Sequence, residues 1–329
     1  MSAPEGNDEL GRQVDDSMRL FQRSQVGPTE LIAGVKPTRV VAVLDGSPQD
    51  EATIESAIHL RDVYNTETVL LDESPPNASM ITGDGETTNN ELAVAAVNRI
   101  SGSRPLPRRE GEPFESILAA VSAVDPDLVI VPCPLGRSLE SLGADSTGTV
   151  ADMLLARCPK PILFMRRETA HLQQAVQDVQ MLVGAESHMH LRAAGWVFGL
   201  IGEGGKLSLN LVIDREHFEN IRAIVEALHP EDDLDVSEFS RAMTETHKKL
   251  HTAMQRTANE RNLSYALRPQ TAEVAPPHPL DDDSQNLLVM SLEAGDQFNA
   301  GFVRDRLRRS PHPVLVITDP NKVFAQVDQ

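Results

Sequence analysis

Very little in this sequence of 329 residues favours the extracellular space, a membrane or a nucleic acid. It has two cysteines, Cys133 and Cys158, too few for a disulfide framework and without a CxxC or Cys/His zinc spacing beside them. Thiols that sparse suit a reducing compartment, so the reading is cytoplasmic. No apolar run reaches the roughly 18 residues of a membrane span, and "MSAPEGNDEL" lacks the basic start and apolar centre of a secretion signal. An integral membrane protein is not expected. Aromatic residues make up 4% of the chain, and only six of the 30 basic residues are Lys. Against 49 acidic residues the net charge is −19, a field that repels a phosphate backbone. The basic clusters at 104–110 and 304–310 are short, without interleaved aromatics, and read as solvated faces rather than a nucleic-acid site. The Arg-over-Lys bias with acidic excess fits either a high-salt cytoplasm or a GC-rich genome.

What is present is a repeated alternation of apolar runs and helical patterns. Residues 1–36 are polar and weakly patterned, and read as a tail or an arm. "RVVAVL" at 39–44 is apolar without alternation, as a parallel strand covered on both faces should be. It ends in Asp45-Gly46-Ser47-Pro48, where Ser47 reads as an N-cap and Asp50 as the partner of a capping box. A helix through Ile54, Ala57, Ile58 and Leu60, a strand at 68–73 and a Pro/Gly/Thr-rich loop at 74–88 follow. Further helices cross Leu92 to Ala96 and Phe114 to Val121, and the apolar strand "LVIV" occupies 128–131. After a loop at 132–147, a helix opened by Gly148-Thr149 stops at Cys158-Pro159 and feeds the strand "PILFM". This β-α-β order predicts an open parallel sheet with flanking helices.

The second half repeats the plan. "VQMLVGAES" echoes "RVVAVLDGS", a helix carrying Leu191, Ala194, Gly195 and Phe198 follows, and then the strand "KLSLNLVI". Helices are expected at 215–228 and about 237–261, followed by the strand "QNLLVMS". "RDRLRRSPHPVLVIT" parallels "ADMLLARCPKPILFM", each a helix ending at a Pro-x-Pro turn that feeds an apolar strand. The linker falls near 167–178.

Three segments in this order, "VVAVLDGS", "GEP..SIL" before "PDLVIV", and "GTVADMLLARCPKPILFMRR", resemble the universal stress protein domain, and 177–320 resembles it more weakly. The chain therefore looks like a tandem member: an N-terminal arm at 1–36, a first domain at 37–168 and a degenerate second domain at 177–320. The resemblance implies two open five-stranded parallel α/β sheets packed as a pseudo-dimer through "PILFM" and "PVLVI", with possible further dimerisation. It also implies an adenine-nucleotide site, with an Asp at the first strand end against adenine and a glycine pattern around the phosphates. Carried over, the nucleotide-binding positions are Asp45, Gly46, Ser47, Gly136, Gly148 and Thr149. Pro132 and Leu135 stand where the first two glycines of the pattern belong, which favours AMP or ADP over ATP with Mg. The competing reading is that Ser146, Thr147 and Thr149 merely cap a helix. In the second half Ala185 replaces the adenine-contacting Asp, so no nucleotide is expected there.

His188-x-His190 and the i, i+4 pair His247 and His251 are the metal-type spacings, but Lys248 and Lys249 between the latter disfavour a cation, and no metal site is expected. Cys133 and Cys158 read as buried structural thiols. No Gly-x-Ser-x-Gly elbow supports hydrolysis. The leading expectation is a non-catalytic cytoplasmic stress-response regulator, a homodimer that senses an adenine nucleotide through the first domain. The alternatives are a partner-binding regulator of a membrane transporter, and a weak ATPase drawing on Glu140 or Asp145.

Overall fold

A computed structural model describes residues 30–75, 91–136, 147–184, 187–212, 215–228, 236–270 and 285–321. The first half contains β1 (Arg39–Leu44), α1 (Gln49–Tyr64), β2 (Glu67–Asp72), α2 (Glu91–Val97), β3 (Arg104–Leu106), α3 (Pro113–Val124), β4 (Leu128–Pro132), α4 (Gly148–Arg157) and β5 (Ile162–Met165). A short α5 (Leu172–Ala175) lies in the linker. The second half contains β6 (Asp178–Val183), α6 (Met189–Leu200), β7 (Lys206–Val212), α7 (Arg215–Leu228), α8 (Val236–Thr246), α9 (Lys248–Glu260), β8 (Ser264–Gln270), β9 (Leu287–Leu292), α10 (Gln297–Arg309) and β10 (Val314–Thr318).

The apolar runs become the central strands because both faces of the sheet are covered. Val40, Val41, Ala42 and Val43 of β1 are fully buried, and so are Leu128 and Ile130 of β4. Helix ends follow local chemistry. Pro113 starts α3, behind a capping box in which Glu112 and Glu115 exchange bonds with each other's backbone. Asn65 closes α1 and Asp125 closes α3 in the left-handed region, each donating its N–H back to the last turn.

All ten strands form one sheet in the order β3-β2-β1-β4-β5-β10-β9-β6-β7-β8. The order is palindromic: the second half mirrors the first about the β5–β10 joint. Within each half neighbours are parallel, whereas β5 and β10 run antiparallel, with Leu163 opposite Leu315 and Phe164 opposite Val314. The β5 and β10 edges, which would otherwise be open, thus cover each other, while β3 and β8 end the sheet. One apolar layer, including Leu60, Leu172, Trp196, Phe198 and Met254, runs along one face of the sheet across both halves. A second layer, including Ile117, Leu154, Phe302 and Leu307, lines the opposite face.

The structure corrects four details. The helix expected at 237–261 is broken at His247 into α8 and α9. β3 and β8 are strands that the sequence reading does not anticipate. Leu191, carried on α6 with Ala194, Gly195 and Phe198, does not share their burial and is 57% exposed. Residues 30–36 are not free: Val35 N–H donates to Gly195 O at 2.8 Å and Ile32 N–H to Thr257 Oγ1 at 2.9 Å, docking the arm on the second half. The approach is so close that a Cβ at Gly199 would stand 1.6 Å from Val35 O. Glycine there is a steric requirement. Among the described residues no helix is long and apolar enough to cross a membrane.

Candidate functional site

In the order β2-β1-β4, the chain leaves β1 toward one side and reaches β4 on the other, so a crevice forms at the carboxyl ends of β1 and β4. Five of the expected positions gather there by backbone or packing contact, and Thr149 follows in the first turn of α4. Asp45, 2% exposed at the end of β1, accepts hydrogen bonds from Ser47 N–H at 2.9 Å and from Gly136 N–H, the latter in the loop after β4. Gly148 lies beside that loop, where an added Cβ would sit 3.7 Å from Pro134 Cβ. Gly136 and Gly148 have φ of +72° and +76°, a conformation that turns backbone N–H groups in ways other residues resist. Residues 137–146, including Glu140, Gly143, Asp145 and Ser146, lie outside the described residues, as does Ala185.

Asp50 has a different job from the capping-box role. Its carboxylate accepts Asp45 N–H at 3.0 Å and Gly46 N–H at 2.8 Å, and the N-cap of α1 is Pro48, without a side-chain cap. The Ser47 N–H that a capping box would give to Asp50 goes instead to Asp45 Oδ1 at 2.9 Å. Burial, reinforced by Asp45, pushes the Asp50 carboxyl up to about 7. Glu73 at the end of β2 is likewise pushed up to about 7 by burial, against the opposing pull of Arg108 at 3.0 Å. Ser47 Oγ is buried with no hydrogen-bond partner. Thr147 at the N-cap of α4 makes no side-chain capping bond, so this helix opens toward the crevice without the cap that its sequence suggests.

Two residues lie beneath the crevice: Cys133, the buried structural thiol that the sequence suggests, and Arg166, which it does not reveal. Cys133 donates its N–H to Met165 O at 2.9 Å and its thiol lies 3.5 Å from Thr147 O; burial pushes that thiol up, against Arg166, as a structural cysteine requires. Arg166, 1% exposed, donates to Cys133 O at 3.4 Å, to Arg308 O at 2.6 Å and to Ser310 O at 3.3 Å. It joins the floor of the first-half crevice to the end of α10 in the second half. Its partners lie 142 and 144 positions away, so no local pattern could reveal them.

In the second half the histidines separate into two settings. His190 and His247 face each other with ring centroids 5.6 Å apart, whereas His251 Nδ1 bonds Tyr265 OH at 2.9 Å. The i, i+4 pair therefore does not converge. Among the described residues no three His, Cys, Asp or Glu side chains group as metal ligands.

No family model and no curated protein sequence matches this chain. Solved structures do. A universal stress protein from Archaeoglobus fulgidus DSM 4304 is similar with a TM-score of 0.53 and 14% identity, over 86% of this chain and 99% of that one. A functionally unknown protein from Pseudomonas aeruginosa PAO1 is similar with a TM-score of 0.54 and 14% identity, over 87% of this chain and 94% of that one. A likeness that takes in both halves and nearly all of the Archaeoglobus chain is a shared architecture: this protein has the universal stress protein fold.

Proposed function

We propose that the protein is a non-catalytic cytoplasmic regulator of the stress response, working as a homodimer, whose first half reads an adenine nucleotide. The convergence of Asp45, Gly136 and Gly148 on one crevice, beside a helix start that Thr147 leaves uncapped, carries this reading. The donor set fits such a ligand. Gly136, Gly148 and Thr149 would take phosphate through backbone N–H groups and the positive end of α4. Asp45 retains lone pairs for the base after accepting its two backbone bonds, and the orphaned Ser47 Oγ supplies one further group. Pro132 and Leu135 narrow the phosphate side, which favours AMP or ADP. A bound nucleotide would tie the β1 and β4 loops together, and that change of order is what a partner would sense.

The test is mass spectrometry of nucleotide released by denaturing freshly purified protein, alongside Asp45→Ala and Gly148→Val. Near-stoichiometric AMP or ADP in the parent chain and none in either variant is expected. Wild-type protein that carries none, and shows no thermal shift with added AMP, ADP or ATP and Mg²⁺, would overturn the reading. Steady phosphate release from ATP above the buffer rate would overturn its non-catalytic part.

A further inference from the structure

A cavity of about 1010 Å³ opens in the second half, between the docked arm, α6 and the α8–α9 junction. It has room for a ligand of drug size. Leu31, Ile32, Leu191 and Leu250 give it an apolar wall. Glu30, Ser187, His188, Thr246 and Glu293 also line it, the last four with partners of their own, and the polar groups that are short of partners lie on its two margins.

On the inner margin stand His190 and His247, 5% and 3% exposed. His247 Nδ1 pairs with Met243 O at 2.9 Å, so that nitrogen carries the proton and Nε2 is a bare acceptor. Nε2 is buried with no hydrogen-bond partner. The His190 ring makes no hydrogen bond among the described residues, and burial drives it down to about 4, so it is a neutral imidazole with one donor and one acceptor. Buried polar atoms are normally satisfied, and two adjacent rings left open on a cavity wall call for a ligand group that both donates and accepts. A metal does not answer, because no third ligand joins them among the described residues.

On the outer margin is Arg192, two positions along α6 and therefore about 200° around the helix from His190. It is half-buried and makes no ion pair or hydrogen bond among the described residues; its only electrostatic support is Asp319. Lys249 lines the same cavity without an ion pair among the described residues. Glu293, the carboxylate at that end, is taken by Ser187 Oγ at 2.7 Å and faces His188 Nδ1 at 3.3 Å. A free cation on one margin, open imidazoles on the other and an apolar wall between them define a ligand with two polar ends.

We propose that this cavity binds a hydroxylated organic acid, with its carboxylate on Arg192, its apolar body along Leu191 and the arm, and its hydroxyl between His190 and His247. The site is independent of the first-half crevice, so Asp45→Ala should leave it unchanged.

Isothermal titration of the full chain with 10-hydroxydecanoate, decanoate and 1,10-decanediol tests each end. One molecule of the hydroxy acid per chain is expected, bound at least about tenfold tighter than either singly matched probe. Arg192→Met should weaken the hydroxy acid about tenfold and leave the diol unchanged. His247→Phe should erase the advantage over decanoate. Leu191→Trp fills the cavity from an exposed position without touching the core, and should abolish binding of all three even if His247→Phe fails to fold. No saturable binding, equal binding of the three probes, or binding that persists in Leu191→Trp would overturn the proposal.

Discussion

The two halves tie the same strand ends together with opposite chemistry. In the first half the carboxylate comes from the loop after β1, where Asp45 accepts the N–H of Gly136 in the loop after β4. In the second half the carboxylate comes from the loop after β9, where Glu293 accepts Ser187 Oγ from the loop after β6. The residues that follow the closing strands are also reversed in charge. Arg166 follows β5, whereas Asp319 follows β10 and accepts Ala294 N–H at 3.3 Å and Asn321 N–H at 2.8 Å. One backbone architecture thus tolerates a swap of donor and acceptor so long as each strand end is bridged. The swap has consequences for ligands. The first half keeps glycine backbone facing its crevice, whereas the second fills the strand ends with Ser, His and Glu and opens its space between the helices instead.

The largest expected effect comes from the residue that joins the two. Arg166→Leu removes a buried donor from Cys133 O, Arg308 O and Ser310 O at once and leaves their carbonyls in an apolar setting. A loss of about 3 kcal/mol in urea unfolding is expected. Asp319→Asn keeps an acceptor oxygen for only one of its two N–H partners and sets an amide NH2 against the other, and should cost about 1–2 kcal/mol. Equal costs would mean that the two positions are equivalent and the asymmetry is only nominal.

Next is the arm, which docks on the second half. Gly199→Ala places a methyl where Val35 O now lies, and the helix cannot yield without disturbing the packed Trp196 and Phe198. The arm should detach at a cost of about 1–3 kcal/mol. Amide exchange at Val35, protected by Gly195 O, should accelerate while β1 is unaffected. An unchanged Val35 would show that α6 shifts instead.

How much of this was legible follows from which groups are local. Central strands are visible because burial on both faces demands an unbroken apolar run, as in "RVVAVL" and "LLVMS". The edge strands β3 and β8 were not, because an edge admits Arg and Pro: Pro105 sits opposite Leu70, and Pro269 opposite Leu211. Asp45 was readable as the polar residue ending a buried strand. Asp50 was misread because the Ser47 N–H that a capping box requires goes to Asp45 instead. The bridge that Arg166 makes to Arg308 and Ser310 and the docking of Val35 are invisible, since these acceptors belong to the other half. The contact that His247 does make, with His190 on another helix, is one of fold and not of local spacing.

Acid should pull the halves apart in stability. Asp50 is raised to about 7 in the folded state. Its contribution is fully present below the ordinary Asp range near 4 and is lost as pH rises to about 7. His190 is lowered to about 4, so its contribution is present above the ordinary His value near 6.5 and is lost as pH falls toward 4. Between pH 7 and 5, then, β1 should become harder to open and β6 easier, by on the order of 1 kcal/mol each. Amide exchange of the two strands at both pH values reads this. Asp50→Asn should weaken the first trend, with Glu73, raised in the same way, supplying the rest, and His190→Asn should weaken only the second; a variant that weakens both would mean that the halves open as one unit.

The smallest effect bears on whether the joint between the halves depends on surface charge. Arg304 on α10 meets Asp152 on α4 at 3.3 Å, and both side chains are about half exposed. Water screens such a pair and holding two long side chains costs entropy, so Arg304→Ala should change stability by less than about 0.5 kcal/mol. The little that exists should vanish by about 1 M salt, where the screening length falls to about 3 Å. The antiparallel β5–β10 pairing and the Arg166 bridge, both buried, make the same connection out of reach of salt. If Arg304→Ala cost as much as Arg166→Leu, or if high salt loosened the joint in the parent chain, the halves would be held by their acidic surfaces rather than by the continuous sheet.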